Sequence, residues 1–99
     1  MDNKISVSPE QEKFIIQAIK RELPKAKIIA FGSRIRGDAH TYSDLDLAIN
    51  DGKSISLSKL SHLEEIFAES DIPFKIDLID FQMVDLAFQS IIKSQGKAW

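Results

Sequence analysis

The sequence contains no cysteine and no long apolar run. Without cysteine among its 99 residues, the chain has no disulfide and no thiolate metal site, as is common in the cytoplasm. No apolar run approaches the roughly 20 residues that a membrane-spanning helix needs. The N-terminal residues also lack the pattern of a signal peptide. We therefore expect a cytoplasmic protein that does not span a membrane.

The sequence also lacks an excess of basic residues. Thirteen lysines and arginines stand against 15 aspartates and glutamates, which gives a formal net charge of −2. A protein that binds nucleic acid strongly usually carries a basic face, so this function class is disfavoured. Arg34 and Arg36 form only a local basic spot. The length predicts one domain over residues 1–99.

Capping and breaking residues mark the predicted elements. Ser8 and Pro9 open a helix, which must end before Pro24. Gly96 is a natural stop for the last helix, and Trp99 beyond it either anchors a partner or packs back onto its own domain. The predicted elements are a helix from Ser8, a strand over about 27–31, a second strand around 45–49, a helix over about 58–69, a strand over about 74–79 and a helix over about 83–94.

An acidic pair lies in the second predicted strand. Asp44 and Asp46 are separated by Leu45, and side chains alternate between the two faces of a strand, so both carboxylates share one face. Two ionised carboxylates this close repel one another unless a cation lies between them. Magnesium suits such a pair, because one or two carboxylates commonly hold it together with water and substrate phosphate. The alternative is two solvated acids at a strand end.

A Gly-Ser step ends the first predicted strand. Gly32 has no side chain to obstruct a ligand. Ser33 is positioned to cap a short helix, whose free N–H groups and dipole attract phosphate. An ordinary strand-to-helix turn with a capping serine is the competing interpretation. The combination with Asp44 and Asp46 favours a nucleotide site, in which Gly32 and Ser33 hold a phosphate and the two aspartates hold its magnesium.

This combination resembles a known signature. Gly32-Ser33, ten intervening residues and Asp44-Leu45-Asp46 are similar to the motif of the DNA polymerase β-like nucleotidyltransferase superfamily. The fuller pattern around it resembles the minimal nucleotidyltransferase branch, whose members are often paired with a HEPN-domain protein. The resemblance implies an α/β (α+β) nucleotidyltransferase fold, with helices flanking a small mixed sheet of three to four strands.

The resemblance also implies a third carboxylate on a later strand, and Asp77 supplies it. The resulting site has Asp44, Asp46 and Asp77 as catalytic and metal-binding residues around two Mg²⁺ ions. Asp77 would help to deprotonate the attacking hydroxyl. Asp80 lies on the opposite face of its strand, and we expect it to cap the final helix.

The nucleotide-binding residues of this site would be Gly32, Ser33, Arg34 and Arg36. The two arginines face either the triphosphate, a partner or solvent. The sequence indicates no preference for one base.

The implied activity is transfer of a nucleoside monophosphate, with AMP from ATP expected, to a hydroxyl group on a partner protein. In the minimal branch, the resemblance implies an antitoxin that modifies a tyrosine of a HEPN ribonuclease toxin or simply caps the toxin, within a hetero-oligomer. Neutralisation by occlusion without catalysis is a second hypothesis. Adenylylation of a small molecule such as an aminoglycoside is a third, and it requires an acceptor pocket.

Overall fold

The computed structural model describes residues 7–32 and 44–99. Its elements, in chain order, are α1 (Pro9–Glu22), β1 (Lys27–Phe31), β2 (Leu45–Asn50), α2 (Leu57–Ala68), β3 (Ile76–Asp80), a 3-10 helix (Phe81–Met83), α3 (Leu86–Gln95) and β4 (Lys97–Ala98). No helix in these two ranges is long and apolar enough to cross a lipid bilayer.

Helix α1 begins and ends where the sequence predicts. The Ser8 hydroxyl accepts a hydrogen bond from the backbone N–H of Gln11, and the Gln11 side chain accepts one from the backbone N–H of Ser8. This reciprocal pair satisfies two N–H groups that have no partner within the helix. The helix ends at Glu22, two residues before Pro24. The predicted helix start and stop are confirmed.

The four strands form one mixed sheet in the order β3-β2-β1-β4. Strand β1 is antiparallel to both β2 and β4, whereas β2 and β3 are parallel. Parallel neighbours need a crossover connection, and α2 provides it between β2 and β3. The predicted α/β class and the small mixed sheet are confirmed, and the described part of the chain contributes four strands to the sheet.

The sheet is covered differently on its two faces. One face packs against α1 and α2 in the main core, to which Ile15, Ile19 and Leu63 contribute fully buried side chains from the helices. A smaller cluster on the other face contains Ala48, Phe81 and Ile92. The 3-10 helix and α3 supply this second layer, so the two faces of one sheet have cores of unequal extent.

The end of β3 differs from the sequence prediction. Asp80 does not cap the final helix; its Oδ1 accepts a hydrogen bond of 3.1 Å from the backbone N–H of Gln82 and so starts the 3-10 helix. The chain is extended again at Val84, and Asp85 caps α3 by accepting from the N–H of Phe88. The final helix therefore begins at Leu86, later than predicted, because a second capping aspartate follows the first.

Trp99 packs back onto its own domain, which decides between the two expectations for it. Its backbone N–H donates a hydrogen bond of 2.9 Å to the carbonyl oxygen of Ile28. Its half-buried side chain packs against the main core. The preceding strand β4 pairs with β1, and Gly96 ends α3 as predicted.

Candidate active site

The residues around β2 alternate between the core and the opposite face of the sheet. Leu45 and Leu47 are fully buried in the main core. Asp46, between them, is half-buried on the other face, and Asp44 is exposed just before the strand begins. Continued alternation would place both aspartates on one face, with Cα atoms roughly 6–7 Å apart at the usual rise of a strand.

Asp77 lies directly beside Asp46. Strands β2 and β3 are parallel, and Asp46 is the register partner of Asp77. Neighbouring strands are about 4.8 Å apart, and register partners point to the same face. Asp77 is half-buried, while Ile76 and Leu78 on either side of it are buried in the main core. The pairing of these strands thus brings the third carboxylate beside the first two.

Gly32 lies against the other side of Asp46. The register pairs Phe31 with Asp46, so Gly32 follows β1 at this point. A Cβ atom at Gly32 would collide with the Asp46 carboxylate and lie only 3.2 Å from its Cγ. The φ angle of Gly32 is +89°, a conformation that residues with a side chain rarely adopt. Both constraints select glycine, whose bare backbone lies next to the carboxylate.

An aromatic pair borders this row of residues. Phe31, opposite Asp46, makes an edge-to-face contact with Phe88 of α3, with ring centroids 6.0 Å apart and an interplanar angle of 85°. Both side chains pack against the smaller core cluster. The 3-10 helix and α3 thus cover part of this face, and Gly32, Asp46 and Asp77 lie beside the covered part.

Asp80 does not belong to the carboxylate row. It is 8% exposed, and its Oδ2 accepts a hydrogen bond of 2.7 Å from the backbone N–H of Ile55. Its Oδ1 accepts from the N–H of Gln82. A buried carboxylate satisfied by two backbone donors has a structural role, since these bonds tie the segment before α2 to the end of β3.

The carboxylate row is not a closed metal cage. Among residues 7–32 and 44–99, no group of three or more histidine, aspartate or glutamate side chains is already gathered as a metal site. Asp46 and Asp77 share a face at one end of their strands, and Asp44 immediately precedes β2. Among the described residues, these three offer carboxylate oxygens, which are ligands that magnesium prefers.

A hollow of about 460 Å³ borders the row at Asp77. Its lining includes Phe67, Pro73, Phe74, Lys75 and Asp77. Lys75 is exposed and immediately precedes β3. No local sequence pattern predicts this hollow, because its lining combines the end of α2 with the segment before β3.

Three other residues of the predicted site are Ser33, Arg34 and Arg36. They lie outside the described residues, so their predicted contacts with phosphate stay predictions. Of the predicted set, Gly32, Asp46 and Asp77 lie side by side at one end of the β1, β2 and β3 strands, and Asp44 immediately precedes β2.

Residues 13–98 match the family described as "Polymerase beta, Nucleotidyltransferase". A similar protein is the "Probable protein adenylyltransferase MntA" of Haemophilus influenzae, which is 39% identical over 84 residues. That alignment covers 84% of this chain and 74% of the relative. The expected relationship to nucleotidyltransferases is confirmed.

Two solved structures with the same fold are chains of toxin–antitoxin complexes. A chain of the crystal structure of a toxin–antitoxin with AMP-PNP superposes with a TM-score of 0.77 at 28% identity, covering 89% of this chain and 72% of that one. A chain of the tri-AMPylated Shewanella oneidensis HEPN toxin in complex with MNT antitoxin gives 0.70 at 26% identity, covering 91% and 70%. By its sequence match and its fold, this chain belongs to the polymerase β nucleotidyltransferase family.

Proposed function

We propose that this protein transfers AMP from ATP to a hydroxyl group of a HEPN-domain partner, as the antitoxin of a toxin–antitoxin pair. The observation that carries the proposal is the row formed by Gly32, Asp46 and Asp77, in a chain of the nucleotidyltransferase family. A relative named as a probable protein adenylyltransferase supports the reaction. A similar structure that contains an AMPylated HEPN toxin supports the acceptor.

The nucleotide would lie with its phosphates against Gly32. Gly32 presents no side chain of its own to the phosphates, and its backbone lies next to the Asp46 carboxylate. In the proposal, Ser33 supports the phosphates from the next position. Arg34 and Arg36 follow in the same segment and would offset the negative charge of the triphosphate.

Magnesium fits this donor set. Asp44 and Asp46 would hold the ions together with phosphate oxygens and water, and Asp77 would complete the site. The two ions of such a site stabilise charge on the entering and leaving oxygens of an in-line displacement. The chemistry of the donors supports the assignment, because carboxylate oxygens are ligands that magnesium prefers. We propose both ions as cofactors and ATP as the substrate.

The chain's own residues would orient the acceptor and receive its proton. The acceptor oxygen bonds to the α-phosphorus of ATP as the bond from that phosphorus to the bridging oxygen breaks, and pyrophosphate leaves. Asp77 takes the proton of the hydroxyl, since it lies at the end of the row next to the hollow. Positioning and electrostatic stabilisation supply most of the rate gain in reactions of this type.

Co-expression with the HEPN-domain protein encoded beside this chain, followed by intact-mass measurement, tests the proposal. The partner should gain the mass of one or more AMP units with the wild-type chain. It should gain none with Asp46→Ala, which removes a central carboxylate of the row. Asp51→Ala is the matched control, because Asp51 follows β2 at the end of the strand remote from Asp44.

The outcomes also separate the competing hypotheses. A stable complex without any mass gain would favour neutralisation by occlusion. A mass gain that persists in Asp46→Ala would contradict the assignment of the site. If the chain instead modified an added aminoglycoside and left the partner unchanged, the acceptor would be a small molecule.

A further inference from the structure

A groove separates the N-terminal part of α1 from the C-terminal part of α2, away from the carboxylate row. Its volume is about 500 Å³. Phe14 lies in it with 41% of its surface exposed, although its ring also makes an edge-to-face contact with Phe67 at 6.2 Å. We call it the α1–α2 groove, lined by apolar Phe14, Ile66 and Ile72 and by acidic Glu10, Glu69 and Asp71.

The acidic rim makes this groove selective for a basic partner. Glu10, Glu69 and Asp71 are all exposed, and none of the residues that line the groove within the described ranges is basic. An apolar floor with three carboxylates at its edge complements an apolar side chain flanked by lysine or arginine. Charge complementarity of this kind speeds association and selects among partners.

Helix stability does not explain the acids at the end of α2. Helix α1 follows the usual rule, with Glu10 and Glu12 in its first turn and Lys20 and Arg21 in its last. Helix α2 has no basic residue in its last turn. Its C-cap is Glu69, an acid at the negative end of the helix dipole, where a cation would be favoured. A residue that is unfavourable for the helix in which it lies, with no compensating gain nearby, is typical of a functional surface.

The groove and the hollow beside the carboxylate row have one lining residue in common. Ile72 lines the α1–α2 groove and also the hollow that Asp77 borders. This residue belongs to the segment that leads from α2 into β3. A polypeptide that leaves the groove past Ile72 would enter the hollow, which Asp77 also lines.

We propose that the α1–α2 groove docks the acceptor protein through a segment with an apolar side chain flanked by lysine or arginine. The same protein then extends past Ile72 and presents its hydroxyl at Asp77. This inference rests on the proposed function, because it assigns a docking surface to the acceptor of that reaction. It adds a recognition element that lies outside the nucleotide site.

Association kinetics with the purified HEPN-domain partner test the docking surface. Asp71→Lys and Glu69→Lys should each lower the association rate constant about tenfold at low salt, and the difference from wild type should shrink at high salt. Asp51→Lys is the matched control, since it makes the same charge change in the turn after β2. It should bind at the wild-type rate.

Thermal unfolding distinguishes lost docking from misfolding. Glu69→Lys places a cation at the C-terminal end of α2, so its Tm should be equal to or above that of the wild type while its association slows. A variant that gains stability and loses binding is not explained by unfolding. Retention of wild-type association by both groove variants would overturn the proposal, as would an equal loss in Asp51→Lys.

AMP transfer measured on the same samples keeps the two proposals separate. Groove-dependent binding without any AMP transfer would contradict the proposed function and support the docking surface. Normal AMP transfer, together with wild-type association of both groove variants, would support the proposed function and contradict the docking surface. A wild-type chain that does not bind the HEPN-domain protein at all would remove the proposed occupant and overturn the docking surface.

Discussion

The same strands form both faces of the sheet, yet the two faces have different roles. On β2, Leu45 and Leu47 are fully buried against the helices, whereas Asp46 between them is half-buried on the opposite face. The first face stabilises the fold by burying apolar surface. The second is only partly covered by the 3-10 helix and α3, and its remaining part holds a row of carboxylates.

Two aspartates of β3 show the difference most clearly. Asp77 and Asp80 lie three residues apart and therefore on opposite faces of the strand. Asp80 is buried and accepts hydrogen bonds from the backbone N–H groups of Ile55 and Gln82. Asp77 is half-buried beside Asp46, where like charges oppose one another. Two hydrogen bonds account for the carboxylate at Asp80. The proposed reaction accounts for the carboxylate at Asp77.

Of the two aspartates of β3, Asp77 should show the larger loss of activity when it is replaced by alanine. Losing the proposed proton acceptor should slow AMP transfer roughly 10²- to 10⁴-fold. The Tm should be equal to or above the wild-type value, because one like charge beside Asp46 has been removed. Single-turnover transfer assays and thermal unfolding monitored by circular dichroism measure both quantities. An Asp77→Ala protein that transfers AMP at the wild-type rate would remove this residue from the site.

Asp80→Ala should lower the thermal stability and leave AMP transfer by the folded protein intact, the opposite of Asp77→Ala. Its loss leaves the buried N–H of Ile55 without its acceptor, which costs about 1–3 kcal/mol of unfolding free energy. For a domain of this size, each kcal/mol lowers Tm by roughly 4–8 °C. The folded fraction should still transfer AMP at temperatures well below Tm. If activity disappeared while Tm stayed unchanged, the division between the two faces would be wrong.

Gly32→Ala should affect both AMP transfer and thermal stability, each to a smaller degree. A side chain at a φ of +89° is strained, by about 1–3 kcal/mol, and its Cβ would displace the Asp46 carboxylate. We expect a lower Tm and a higher KM for ATP, measured by thermal unfolding and steady-state transfer. Gly52→Ala is the matched control: Gly52 has a φ of +79°, and a Cβ there meets nothing within 4 Å. It should lower Tm without changing KM.

Much of the fold could be predicted from the sequence because its signals are local. Ser8, Pro9 and Pro24 bound α1 through capping and breaking chemistry that needs no tertiary information. The alternation around Asp46 likewise assigned the two faces of β2. The proximity of Asp77 to Asp46 was implied by the family resemblance, and the parallel pairing of β2 and β3 provides its physical basis.

The features that were predicted wrongly or missed involve contacts between segments that are distant in sequence. Asp80 was assigned to the final helix because the sequence prediction overlooked Asp85, which caps that helix, and the bond between Asp80 and Ile55 joins residues 25 positions apart. The position of Trp99 depends on pairing with β1. The α1–α2 groove exists only where two helices meet, so no local sequence pattern could indicate it.

The fate of the ATP phosphates tests the central claim most directly. The purified chain and its HEPN-domain partner are incubated with magnesium and with ATP labelled at either the α- or the γ-phosphorus. A nucleotidyltransferase transfers the α-phosphate, as part of AMP, to the acceptor and releases the β- and γ-phosphates as pyrophosphate. We predict label on the partner from α-labelled ATP alone, and none with Asp46→Ala. Label transferred from the γ-position would show phosphoryl transfer and contradict the account of this site.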